Sequence, residues 1–514
     1  MANYFVGIDI GCGGAKACII DDQGKVMGYG FHEHHIAVSN GCWSETDPDE
    51  YWNNICNAIQ GILAKTNLDT SQVRGVSVSS AVPAIVMVDR EGRVINKAYN
   101  FLDTRAQDAI EELKRRVGRE RVFEISGYNI DEQSDLTDLM WEKQHRPEDY
   151  RRIYKALTPD GYVTYKLTGR MLVNYSGATF FGAAFDIRNK RYNSEILREL
   201  GIDEEKLPEV IPCEEVIGEI TPQAAERTGL KAGTPVIAGT VDAFAGWLGG
   251  GAIEPGETQI NLGTAAVLGV ILGKPTFVEN IWNCIYPVHS QNNYVIFGST
   301  LTGGYVMRYL RNNFSRYERF VEQSGGYDAY DLLNLDAEAT RPGADCLITL
   351  PHLMGARTPE TNAHARGVLF GLDMNHHKGH MIRSMMEGVA FSSFKQFSAM
   401  KDAGVPTKGP IVMNEGGAKS RLWRRIFTDV FGHPTVLLKN RTGAPYGNAI
   451  LAGVSTGYLP GYHVAKEWAE YVDELEPIEK NHAMYMEFFA LYNSLYEHIQ
   501  EDYLALKGLR EKYL

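Results

Sequence analysis

The sequence predicts an α/β protein of two lobes with a cleft between them, and three observations carry that expectation. Strand-like and helix-like stretches alternate along the chain, the order expected of sheets covered by helices. A pattern of strand, glycine turn and strand opens the chain and returns in its second half. At 514 residues the chain is too long for one ordinary hydrophobic core, so two domains are expected, 1–245 and 246–514.

The β-rich run Tyr4 to Ile10 forms the first strand, Gly11 to Gly14 the bend, and Ala15 to Ile20 the returning strand, with a further turn at Asp21 to Gly24. A helix starts at Asp47-Pro48, where Asp caps and Pro occupies the first turn, and Ile55, Ile59 and Ile62 then share one face. Val73 to Ser79 and Ile85 to Val88 read as strands, and Ala106 to Val117 as helical. Pro235 to Asp242 is a strand running into a turn and then a small-residue helix, Ala243 to Leu248. Thr258 to Ile271 repeats the opening hairpin around Gly263-Thr264-Ala265. Gly379 to Lys401 carries apolar residues at helical spacing, and Ser420 to Phe431 is a helix closed by Gly432; both are expected to cover a second sheet.

With 51 Lys+Arg against 64 Asp+Glu the formal net charge is -13, which opposes a nucleic-acid partner. Neither a cleavable basic and apolar leader nor an apolar run of about 18 residues is found, so the expectation is a cytoplasmic protein that does not engage the membrane. Seven cysteines, scattered singly without a CxxC pair, read as reduced thiols. The Asn-x-Ser/Thr matches at Asn174, Asn313 and Asn440 then read as chance.

Two acidic residues stand in apolar settings at strand ends, Asp9 and Asp242. Strand ends of α/β folds commonly present functional side chains, although an Asp leaving a strand is also a common turn former. The segments Asp9-Ile-Gly-Cys-Gly-Gly-Ala-Lys16, Gly239-Thr-Val-Asp242, Leu262-Gly-Thr264, Leu350 to Pro359, Asn414-Glu-Gly-Gly-Ala418 and Gly443 to Ala449 occur in the order typical of one family. Nearly the whole chain resembles the FGGY carbohydrate kinases, a branch of the actin, Hsp70 and sugar-kinase superfamily. The resemblance implies two actin-like (ribonuclease H-like) domains, ATP and Mg²⁺ as cofactors, a small sugar or polyol as substrate, and a homodimer as a family expectation.

Residue by residue, the resemblance implies that Asp242 is the general base and that Asp9 holds Mg²⁺ directly or through water. Gly11, Cys12, Gly13, Lys16, Gly263 and Thr264 would surround the phosphates, and Gly416 and Gly417 would face adenine and ribose. These residue types suit phosphoryl transfer, which needs charge neutralisation, in-line positioning and a base for the attacking hydroxyl. Asp103 and Arg105 match an Asp-x-Arg segment on the sugar side; a surface ion pair is the plain alternative. Trp43 and Glu45 are either substrate contacts or loop residues.

His32, His34 and His35, and His376, His377 and His380, have spacings a metal could use, but solvated histidines are the plainer reading. Two departures from the family pattern stand out. Cys12, Gly13 and Gly14 replace the usual hydroxyl residues, and Ala81-Val82-Pro83 stands where xylulokinase-like members carry Gln-Met-His. A ketopentose or related polyol with altered preference is therefore expected. A P-loop NTPase is disfavoured, Gly416-Gly-Ala-Lys-Ser420 being the nearest match. A nonenzymatic actin-like ATP-binding module is the rival class.

Overall fold

The computed structural model describes residues 2–439 and 443–513. The glycosylation-like match at Asn440 lies outside the described residues.

Strands β1 (Tyr4–Gly11), β2 (Gly14–Asp21), β3 (Val26–Glu33), β4 (Val73–Ser80), β5 (Val216–Glu219) and β6 (Pro235–Val241) form the first sheet. Their order is β5-β6-β4-β1-β2-β3. The second sheet is built from β7 (Thr258–Leu262), β8 (Ala266–Leu272), β9 (Trp282–Ile285), β10 (Tyr294–Thr300), β11 (Ile411–Asn414), β12 (Thr435–Leu438) and β13 (Tyr471–Leu475), in the order β9-β10-β8-β7-β11-β12-β13. The run β6-β4-β1-β2-β3 has the same neighbours and strand directions as β12-β11-β7-β8-β10. The repeated hairpin of the sequence therefore belongs to a repeated sheet.

Helices cover the sheets: α1 (Pro48–Thr66), α2 (Asp135–His145), α3 (Asp242–Gly249), α4 (Lys378–Asp402), α5 (Arg421–Phe431) and α6 (Ala444–Ser455). In α1 the Asp47 carboxylate accepts from the Asp49 N–H, Pro48 starts the helix, and Ile55, Ile59 and Ile62 are buried. Helix α5 starts on a Ser420 cap and stops at Gly432, whose φ of 58° a β-carbon would strain. The expected strand at Ile85 to Val88 forms over Val86–Val88 but pairs with Lys155–Leu157, outside the first sheet.

Helix α6 follows the second sheet's β12 in sequence yet lies against β1, β4 and α3. Gly7 permits this approach, because a β-carbon there would sit 1.7 Å from the Pro445 carbonyl oxygen. The Asn448 amide on α6 donates to the Ile8 carbonyl and to Ser79 Oγ, both at 2.7 Å, so a helix from the second half of the chain clamps the first sheet. Two apolar cores result, one between α1 and the first sheet and a larger one spanning the rest.

Candidate active site

Asp9 sits near the end of β1, opposite Lys16 on β2. Residues opposite each other across an antiparallel pair project to the same face, and Lys16 Nζ lies 3.0 Å from Asp9 Oδ2. The other carboxylate oxygen accepts from Ser79 Oγ at 2.9 Å. Asp9 is 1% exposed. Its negative charge pushes the Lys16 ammonium further up its titration range, so Lys16 stays charged.

Asp242 opens α3, directly after β6, and its Oδ1 accepts from the Ala243 N–H at 2.7 Å. Gly239, at φ 86°, sits where β6 shifts register against β4, and a β-carbon there would meet the Val78 carbonyl. Burial pushes the Asp242 carboxyl up to about 7, and the nearby Asp9 charge adds to the effect. The structure thus brings both sequence-predicted acids into one charge field. Cys12 shares it: burial, then Asp242 and Asp9, push its thiol well above the usual range, which keeps it protonated.

The buried Asp9 and half-buried Asp242, with the Lys16 ammonium bonded to Asp9, fit a hydrated divalent cation, since a hard cation takes few carboxylates and completes its shell with water and phosphate oxygens. Among the described residues no group of three or more His, Cys, Asp or Glu side chains is arranged to enclose a metal. An enclosing cage of protein ligands is not what this donor set offers.

The three glycine loops present backbone rather than side chains. A β-carbon at Gly13 or Gly416 would meet nothing within 4 Å, as expected of positions facing a cleft. In the second hairpin the loop carbonyls are occupied, Thr264 by the Gly303 N–H at 2.8 Å and Gly263 by the Gly304 N–H at 2.6 Å. Gly417 differs: a β-carbon there would lie 2.6 Å from Leu262 Cγ, so its glycine serves contact with β7.

Asp103 and Arg105 are not a surface pair. Their side chains are 0% and 1% exposed, and Arg105 Nη2 lies 2.6 Å from Asp103 Oδ2 and 2.8 Å from Glu45 Oε1. Asp103 also accepts from the Ser44 and Arg105 N–H groups and from Arg105 Nε. The guanidinium carbon stands 3.7 Å from the Tyr99 ring centre and 4.2 Å from that of Trp43. Arg105 Nη1 is buried with no partner among the described residues. Asp103 therefore holds Arg105 in place, Trp43 stacks on it, and one donor of the fork is left over.

The histidines of the second half have local roles. The Nδ1 atoms of His376, His377 and His380 accept from the N–H groups of Asp373, Gly379 and His377, and the last two bonds cap the start of α4. His34 packs on Tyr51, and burial lowers its ring to about 4.

Sequence reasoning missed the support beneath Asp9, which comes from Ser79 and Asn448, and a pocket beside Cys12 walled by Thr46, Tyr51, Ala81 and Asn100. Asn448 lay within a segment singled out by resemblance, but only its contacts reveal the role. Sequence reasoning also missed three acids on α2. Burial raises Asp135, Asp138 and Glu142, Asp138 to about 8.

Residues 4–249 match the model of the N-terminal domain of the FGGY family of carbohydrate kinases, and residues 258–456 match that of its C-terminal domain. A xylulose kinase of Staphylococcus xylosus is 28% identical over 96% of this chain and 100% of its own. A gluconokinase of Bacillus licheniformis is 27% identical over 98% of each chain. Among solved structures, xylulose kinase from Rhodospirillum rubrum is 24% identical with a TM-score of 0.88, covering 98% of this chain and 100% of its own. Gluconate kinase from Lactobacillus acidophilus is 22% identical with a TM-score of 0.89, at the same coverage. These two structures share the fold.

Proposed function

The chain belongs to the FGGY family of carbohydrate kinases, and on that premise we propose that it transfers the γ-phosphoryl group of ATP, with Mg²⁺, to a hydroxyl of a small ketose such as xylulose. The observation that carries the mechanism is the half-buried Asp242, raised to about 7 beside Asp9 and Lys16. A carboxylate with an apparent pKa near neutrality is a matched general base for an alcohol.

In this reading the acceptor hydroxyl lies against Asp242, which takes its proton as the oxygen attacks the γ-phosphorus and ADP leaves. Lys16 places positive charge at the first loop, and the backbone N–H groups of Gly11 to Gly13 and of Gly263 and Thr264 hold phosphate oxygens. Asp9 would hold Mg²⁺, directly or through water, and the ion would supply neutralisation of phosphate charge. Gly416 faces the nucleoside. Arg105, paired with Asp103 and Glu45 and stacked on Trp43, forms a charge-matched wall on the sugar side. Residues 1–245 with α6 carry the sugar and the first loop, and the rest of 246–514 carries the second loop and the nucleoside. A cytoplasmic location agrees with seven free cysteines and an ATP-dependent reaction.

The gluconokinase relative supports a second reading, an aldonate as acceptor. Sugar-stimulated ADP release over a panel of ketopentoses, alditols and aldonates tests both. Release with none of them would overturn the assignment.

A further inference from the structure

Beside Cys12, whose thiol lies in the field of Asp9 and Asp242, a pocket is walled by Gly11, Thr46, Tyr51, Ala81, Asn100 and apolar neighbours. Asn100 is 5% exposed, and its amide cannot turn freely. The Leu102 N–H donates to Asn100 Oδ1 at 3.0 Å, and the Asn100 backbone is held by the Ser44 carbonyl and the Asp103 N–H. That leaves Asn100 Nδ2 as a fixed donor, buried and without a partner among the described residues. A buried donor left unmade is costly, and a ligand oxygen is the group that relieves it.

The same pocket has no lysine or arginine among its described lining residues. The nearest guanidinium, Arg105, is already matched by two carboxylates, Asp103 and Glu45. The charges toward the reacting end are Asp9 and Asp242, with Lys16 tied to Asp9. An acceptor carrying a carboxylate would enter this pocket against net negative charge and without a counter-ion.

We propose that Asn100 is a specificity-determining residue whose Nδ2 donates to an uncharged oxygen of the acceptor, and that the pocket selects neutral polyhydroxy compounds over aldonates. This rests on the sugar-kinase reading and narrows its substrate class. The donor also compensates for Ala81, which offers the sugar no polar side-chain atom.

The deciding variant is Asn100→Asp, which keeps the oxygen that accepts from Leu102 but replaces the donor by an acceptor. Asn100→Ser is the second, able to accept the same local bond but too short to reach the sugar. ADP release and sugar-induced thermal shifts are measured on the full-length protein with D-xylulose, D-ribulose, xylitol and D-gluconate. Wild type is expected to prefer a neutral acceptor by about tenfold or more in KM, and both variants to raise that KM by about tenfold or more with ATP KM unchanged.

A ketose analogue lacking the contacted hydroxyl should lose affinity in wild type and lose little more in Asn100→Asp, a coupling that a purely structural role would not produce. Unchanged sugar KM and thermal shift in both variants overturn the Asn100 assignment while leaving the kinase reading intact. Preference for D-gluconate in wild type overturns selection for neutral acceptors. Sugar-induced shifts without turnover overturn the transferase reading alone, and neither shift nor turnover with any compound overturns both.

Discussion

The two hairpins at the heart of the molecule share a backbone and differ in charge. In the first, Asp9-Ile-Gly leads into the turn and Asp9 faces Lys16 across the strands; in the second, Asn261-Leu-Gly leads into the turn and Asn261 faces Val267. Topology is repeated around both, yet of the two it is the first that carries an ion pair, a buried Asp9 held by a part-exposed Lys16. In the second the Asn261 side-chain Oδ1 accepts from Trp247 Nε1 at 2.8 Å, a neutral bond that ties β7 to α3. In the proposed function this becomes a division of labour: the first copy would supply charge for the metal and phosphates, and the second a neutral surface of backbone groups.

The strongest way to break the comparison is to give the first hairpin the residue of the second. Asp9→Asn is expected to cut kcat by about a thousandfold, since neutralisation of phosphate charge is worth several kcal/mol, and to shift the magnesium requirement upward. Turnover measured across a Mg²⁺ titration decides it; normal kcat at the usual optimum sinks the assignment.

Asp242→Asn comes next, with kcat lower by about a hundredfold or more and nucleotide affinity close to wild type, because an amide cannot take the proton. Equilibrium binding of ATP beside steady-state rates separates base from metal ligand. An affinity loss as large as the rate loss would make Asp242 a ligand.

A smaller effect comes from acids that, unlike Asp9, lack a bound ammonium. Among the described residues the Asp138 carboxyl is held by the Gln133 amide, at 2.9 and 3.1 Å, and burial raises it to about 8. A carboxyl raised in the fold binds its proton more tightly there than in the unfolded chain. Its stabilising contribution is therefore complete below about pH 4 and lost as pH rises toward 8. Asp138→Asn should flatten that fall and gain on the order of 2 kcal/mol over wild type at pH 8 relative to pH 5. Urea denaturation at the two pH values reads it, and parallel pH profiles would contradict the sign.

The smallest change is expected at the second hairpin itself. Asn261→Ala removes the Trp247 bond and should cost about 1 kcal/mol of stability while leaving kcat nearly intact. A collapse of turnover with an unchanged Tm would show that the two copies are chemically closer than their residues suggest.

Much of this architecture is legible in the chain. Glycines flanked by β-branched residues announce both hairpins, because a tight bend between two buried strands leaves few other options. The Asp47-Pro48 start and the Gly432 stop announce two helices, since caps are local. Asp9 and Asp242 end apolar strands, where an Asp is also a common turn former, and it is the family motifs around them that single them out. By contrast, Asp103 and Arg105 leave a surface pair open as the lesser alternative until the fold places Tyr99, Trp43 and Glu45 around them.

What the sequence by itself determined is the set of local elements, the repeat, and the chemical inventory of carboxylates, glycines and one lysine near the first turn. Each follows from spacing and backbone preference within a few residues. Only the tertiary structure decided that α6 returns to the first sheet so that Asn448 supports Ser79 and Asp9, that Cys12 stays a neutral thiol in the field of two acids, and that Asn100 holds a fixed donor at the pocket. Those outcomes depend on partners tens to hundreds of residues away in the chain, and on burial, which turns distance and desolvation into pKa and into unmet hydrogen bonds.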